Sequence, residues 1–105
     1  MKTKTTPIIL LFFVLSSCKE SSNDITPPVI SLIGPSQVTT QRDSVYVDAG
    51  ATAFDETDGD ITSDIIVVNP VNVNILGTYY VTYNVTDNAG NKAEEVRRKV
   101  TVMIY

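Results

Sequence analysis

From Pro27 onward apolar and polar residues alternate, and no stretch carries a capped helical period, which predicts strands and little or no helix. The clearest run begins at Gly77. There Tyr79, Val81, Tyr83 and Val85 share one parity and Thr78, Tyr80, Thr82, Asn84 and Thr86 the other, so the first set is expected to face a core. Asp87-Asn88-Ala89-Gly90-Asn91 reads as a turn, and the return strand places Val96, Val100, Val102 and Ile104 opposite Arg97, Lys99 and Thr101. Arg98 falls on the apolar parity. Either a bulge resets the register, or the guanidinium reaches past the sheet edge to a carboxylate while its stem packs on apolar surface. The second is favoured, because arginine tolerates burial when paired.

Upstream, the Pro27-Pro28 stop precedes an expected strand over Val29 to Ile33. Gln37 to Thr40 and Ser44 to Asp48 follow, separated by Gly34-Pro35 and Arg42-Asp43. Ala49 to Ala53 is small and β-compatible, Asp64 to Asn69 reads as a strand ended by Pro70, and Val71 to Ile75 as a short one. This spacing of strands and turns indicates an all-β sandwich rather than a helix-covered sheet. Its expected core draws on Val29, Val45, Val47, Ile66 and Val68 early in the chain, and on the 79–85 set with Val100 and Val102 later.

The first residues read as an address. Lys2 and Lys4 precede an unbroken apolar run from Ile8 to Leu15, too short to cross a bilayer as a mature helix. It is followed by Leu15-Ser16-Ser17-Cys18, which resembles the lipobox of bacterial lipoproteins. That resemblance implies cleavage before Cys18 and lipidation of its thiol; ordinary secretory cleavage, leaving a free thiol, is the alternative. Residues 1–17 are thus expected to be a lipoprotein signal peptide, 18–26 a lipidated cysteine with a polar tether, and 27–105 the sandwich. The resemblance implies a membrane partner through Cys18 and a bacterial cell-envelope location. Lys19 after the cysteine, rather than Asp, points to the outer membrane of a two-membrane cell.

Four short patterns in order extend the reading. They are Tyr46-x-Asp48-x-Gly50-Ala51-x-Ala53-x-Asp55, then Asp58-Gly59-Asp60-Ile61-Thr62, then Gly77-Thr78-Tyr79-x-Val81-x-Tyr83-x-Val85-x-Asp87-x-x-Gly90-Asn91, and finally Arg98-x-Val100-x-Val102. Together they resemble the bacterial surface Ig-like domain of the pesticidal crystal protein type, akin to hyalin-repeat sandwiches. Ala49 departs from the pattern, which would carry Pro. The resemblance implies an all-β fold, an Ig-like antiparallel β-sandwich of about seven strands, in a secreted or cell-surface module without catalytic activity.

Composition narrows the chemistry. With no His, no Trp and one Cys, this chain alone supplies no imidazole base, no His-containing triad, no internal disulfide and no cysteine metal cluster. Eight Lys+Arg against twelve Asp+Glu give a formal charge of -4, which argues against nucleic acid as a partner. Six acidic residues (Asp48, Asp55, Glu56, Asp58, Asp60 and Asp64) lie between positions 48 and 64 with no Lys or Arg among them. Something must offset their repulsion. The preferred solution is Arg98 paired with one of them or with Asp87. The competing one is calcium, with Asp55, Asp58, Asp60 and Asp87 as candidate ligands; an EF-hand is excluded, since the twelfth position counted from Asp55 is Ile66. No other cofactor is expected. Tyr80, on the outward parity, is the candidate recognition residue. The expected function is non-enzymatic: a lipid-anchored envelope protein presenting one Ig-like module for binding or adhesion to a protein or glycan. The alternatives are a small carbohydrate-binding module and a structural spacer without its own ligand.

Overall fold

The computed structural model describes residues 24–105, so the expected signal peptide, Cys18 and most of the tether lie outside the described residues. Among the described residues seven strands follow in order: β1 (Val29–Leu32), β2 (Gln37–Gln41), β3 (Ala51–Asp55), β4 (Gly59–Asp60), β5 (Ile66–Val68), β6 (Gly77–Asn84) and β7 (Val96–Met103). A single 3₁₀ turn, Thr62–Asp64, is the helical content of the described residues. The strands form two sheets, β1-β3-β4 and β2-β7-β6-β5. All pairs are antiparallel except one: β2 runs parallel to β7, with Val38 opposite Val100.

The core lies between the sheets. From the larger sheet come Val81, Tyr83, Val100 and Val102, joined by Val85 just after β6, each at most 3% exposed; from the smaller come Ile30, Ala51 and Ala53. Small residues on β3 leave room for the bulkier side chains of β6 and β7 facing them. Ile61 and Ala93, on connecting segments, belong to the same buried cluster.

The later half follows the alternation read from the sequence, while the earlier half departs from it. Val29 is 65% exposed, because β1 pairs Val29 with outward Phe54 and Ile30 with inward Ala53. A one-residue difference in parity exchanges the two faces of a strand. Residues 44–48 form no strand; Val45 and Val47 point outward, and Ser44, Tyr46 and Asp48 are half-buried. Ile66 and Val68 lie opposite Asn84 and Thr82, hence on the outer face, and are not core. Residues 71–75 form turns rather than a strand, and Tyr79 is half-buried, its hydroxyl donating to the Ile75 carbonyl at 2.8 Å.

Register across β6 and β7 is continuous from Gly77–Val102 to Tyr83–Val96, with no bulge. Arg98 therefore faces inward opposite Val81, and the sandwich carries a guanidinium in its interior.

Candidate functional site

Arg98 is 1% exposed, and each of its five N–H groups finds an acceptor. Nε donates to the Pro35 carbonyl at 2.8 Å, one Nη to Asp48 Oδ1 at 2.9 Å and the Tyr83 hydroxyl at 2.8 Å, and the other Nη to the carbonyls of Ile33 and Gly50. Asp48 also accepts from the Tyr46 and Tyr83 hydroxyls and from the Gly50 N–H. Gly50 sits at φ +87°, a conformation that a side chain would strain, and this lets its N–H and carbonyl serve Asp48 and Arg98. Burial pushes the Asp48 carboxyl up, but the hydrogen bonds from Tyr46, Tyr83, Arg98 and Gly50 outweigh it and hold the group below its ordinary value. Burial, with the Asp48 charge beside it, pushes Tyr46 up to about 12 and raises Tyr83 as well. This network ties β7 and β6 to the loops at 33–35 and 46–50; every group in it is engaged by another, which suits a structural knot.

A second group lies at one end of the sandwich. Asp55 ends β3, Asp87 follows β6, and Asp24 comes from the segment leading into β1; one carboxylate oxygen from each lies within 4.8 Å of the others. Each carboxylate also holds its own loop. Asp55 Oδ2 accepts the Thr57 and Asp58 amides at 3.0 and 2.9 Å, Asp87 Oδ1 those of Ala89 and Asn91, and Asp24 Oδ1 that of Thr26. Asn91 bridges two members, its side-chain amide donating to Asp87 Oδ2 and to the Asp24 carbonyl. The remaining oxygens Asp55 Oδ1 and Asp24 Oδ2 are buried without a hydrogen-bond partner. The Thr26 amide favours a charged Asp24, but burial and the adjacent Asp87 and Asp55 outweigh it and raise its pKa. Asp87 is lowered, the cost of burial being exceeded by its bonds from Asn91.

Of the ligands suggested by sequence, Asp55 and Asp87 meet here, while Asp58 and Asp60 do not join them. Asp58 Oδ2 instead caps the Asn88 amide at 2.8 Å, tying the two loops together. Asp60 lies exposed and accepts from the Thr62 amide. Asp24 takes their place. Its spacing to Thr26 is that of an Asx turn, the one local sign that the end of the expected tether is structured.

Tyr80, 40% exposed, lies on the outer face of the larger sheet with the Arg97 guanidinium 4.4 Å from its ring centroid. One face of the ring is thereby occupied by a cation. Elsewhere, a cleft of about 330 Å³ is lined by Pro27, Pro28, Val29, Ile30, Glu94 and Val96.

The model of the family described as bacterial surface protein, Ig-like domain, matches residues 30–102. The chain belongs to this family. Its motif residues serve the Ig-like fold directly, since Tyr46, Asp48, Gly50, Tyr83 and Arg98 form the buried network and Asp55 and Asp87 cap its loops. The Ig-like domain is 38% identical over 82 residues to the pesticidal crystal protein Cry22Aa of Bacillus thuringiensis, a match covering 77% of this chain and 10% of that protein. Among solved structures it resembles the lipoprotein BT2262 from Bacteroides thetaiotaomicron, with a TM-score of 0.64 at 22% identity, covering 73% of this chain and 38% of that one. It also resembles a structure of Clostridium perfringens ZmpB that contains CBM51-2, in complex with GlcNAc, and INT domains. There the TM-score is 0.57 at 30% identity, and the match covers 74% of this chain and 17% of that one. The chain thus spans only a part of each of these proteins.

Proposed function

We propose that this chain is a non-enzymatic, lipid-anchored cell-envelope protein whose Ig-like module binds a partner through the open edge of its larger sheet. The carrying observation is β5. Its inner side pairs with β6, among the described residues no strand covers its outer side, and Ile66, Val67 and Val68 are 66, 50 and 56% exposed. An edge strand offers unpaired backbone groups to an added strand, and exposed apolar side chains beside them supply contact area. Residues 1–17 serve as the signal peptide, and the polar segment after Cys18 holds the module off the membrane. Membership of a family of bacterial surface domains supports an envelope location.

The glycan reading draws support from the GlcNAc complex named for ZmpB and from the exposure of Tyr80. It is weaker here because Arg97 already covers one face of that ring. Pull-down from the cell's own envelope, beside a glycan array, separates the two. The edge reading expects a partner that is retained by Tyr80→Ala and lost in Val67→Lys, which places a desolvated charge at the edge. A glycan signal abolished by Tyr80→Ala and indifferent to Val67→Lys would replace it with the carbohydrate-binding reading. No specific capture in either assay would leave the spacer reading standing and defeat both.

A further inference from the structure

The structure points to a cation site formed by Asp24, Asp55 and Asp87, and we propose that it takes Ca²⁺ and thereby clamps the segment entering the domain onto its end. Asp55 is fully buried, and its carboxylate contributes an oxygen within 4.8 Å of those of Asp24 and Asp87; one of its oxygens is spent on the Thr57 and Asp58 amides, and the other is buried with no partner. A buried carboxylate oxygen without a donor costs free energy unless something positive meets it. Asp24 Oδ2 is in the same condition. Arg98 cannot serve either, because its five N–H groups are spent on Asp48 and neutral acceptors. Among the described residues no Lys or Arg forms an ion pair with Asp24, Asp55 or Asp87.

The donor set is all carboxylate oxygen, which suits a hard cation. Three oxygens all within 4.8 Å of one another leave a point no more than about 2.8 Å from each, so a small inward shift brings all three to the 2.3–2.6 Å at which Ca²⁺ binds oxygen. Mg²⁺, at about 2.0–2.1 Å and near-octahedral, would require the carboxylates to close in further. Water would complete the Ca²⁺ shell. Asp55 and Asp87 belong to the domain and Asp24 precedes β1, so the bound ion would fix the direction in which the chain enters the sandwich.

The test is calorimetric titration of Ca²⁺ into the full chain in mild detergent, with thermal melts in EDTA, Ca²⁺ and Mg²⁺ at matched ionic strength. One ion per chain is expected, with Kd about 10⁻⁴ to 10⁻³ M, as in extracellular calcium modules. The melting temperature should rise by several degrees in millimolar Ca²⁺ and much less in Mg²⁺. Asp24→Asn and Asp55→Asn should each weaken binding about tenfold or more, while in EDTA they melt no lower than the parent. Asn can still accept the loop amides, and should Asp55→Asn fail to fold, Asp24→Asn decides. Asp60→Asn should leave binding unchanged. No heat of binding with identical melts in EDTA and Ca²⁺ would overturn the site in favour of a proton shared among the carboxyls. A calcium response that survives both variants, disappears in Asp60→Asn, or is matched by Mg²⁺ would also overturn it.

Discussion

Asp48 and Arg98 illustrate how a charge is tolerated where the alternation calls for a hydrophobe. The guanidinium gives up water on burial, and an ionic partner with four neutral acceptors replaces it. Breaking such a pair leaves a buried charge uncompensated. Arg98→Ala should therefore destabilise the domain by about 3–5 kcal/mol, measured by urea denaturation, whereas Arg98→Met with Asp48→Ala together should cost less than the two single changes added. Additive losses would mean that the pair contributes no coupling. The same network sets a pH window. Asp48 titrates below its ordinary value in the folded state, so its stabilisation is complete above pH 3.8 and is lost as pH falls through the lower folded value. Tyr46 is raised from 10.0 to about 12, so its contribution is complete below the former and lost as pH climbs toward the latter. Denaturation midpoints should fall at both ends; Tyr46→Phe should reduce the alkaline decline, with Tyr83 keeping part of it, and by removing a hydrogen bond that holds Asp48 down it should soften the acid decline as well.

At the scale of elements, β7 and β5 stand at opposite extremes. β7 is central, pairing with β2 on one side and β6 on the other, and its Val100 is 0% exposed. Val100→Ala should cost about 2–3 kcal/mol through lost burial and an unfilled cavity, while Val67→Ala on β5 should fall within about 0.5–1 kcal/mol. Equal losses would mean that the edge is held more firmly than its exposure indicates. The contrast also explains which strands the alternation located well. In β6 and β7 eight residues each carry the pattern, and the two strands confirm one another's parity through continuous register. β1, β3 and β5 have four, five and three residues, too few for alternation to choose a face when both parities hold apolar side chains. Val29 against Ile30 and Ile66 against Val67 are the cases in point. Pairing partners made the choice, through Ala53 for Ile30 and through Thr82 and Asn84 for β5.

For the molecule as a whole, the envelope proposal stands on Cys18. Labelled palmitate should enter the parent and not Cys18→Ser, and equal labelling of both would end the lipid-anchor reading. Its consequence would be an acidic surface near the membrane, since removing Lys2 and Lys4 from eight basic residues leaves six against twelve acidic ones. Within the sandwich, the sequence by itself determined the all-β class, the β6–β7 pair, the turn at Asp87 to Asn91 and the inward parity of Arg98. Each depends on residues near one another in the chain, where period, turn chemistry and side-chain type act locally. It also marked a shortage of positive charge around positions 48–64. Only the tertiary structure decided which carboxylate Arg98 meets, 50 residues away at Asp48, and which acids are left to one another. Asp24, Asp55 and Asp87 are brought together by the entering segment and the ends of two strands from different sheets. Spacing along a chain records distance through the backbone, whereas a group assembled across two sheets depends on how those sheets pack. Asp58 and Asp60 stand closer to Asp55 in sequence, yet Asp58 turns to the distant Asn88 amide and Asp60 to the neighbouring Thr62 amide, while Asp55 spends one oxygen on the Thr57 and Asp58 amides and is left with the other.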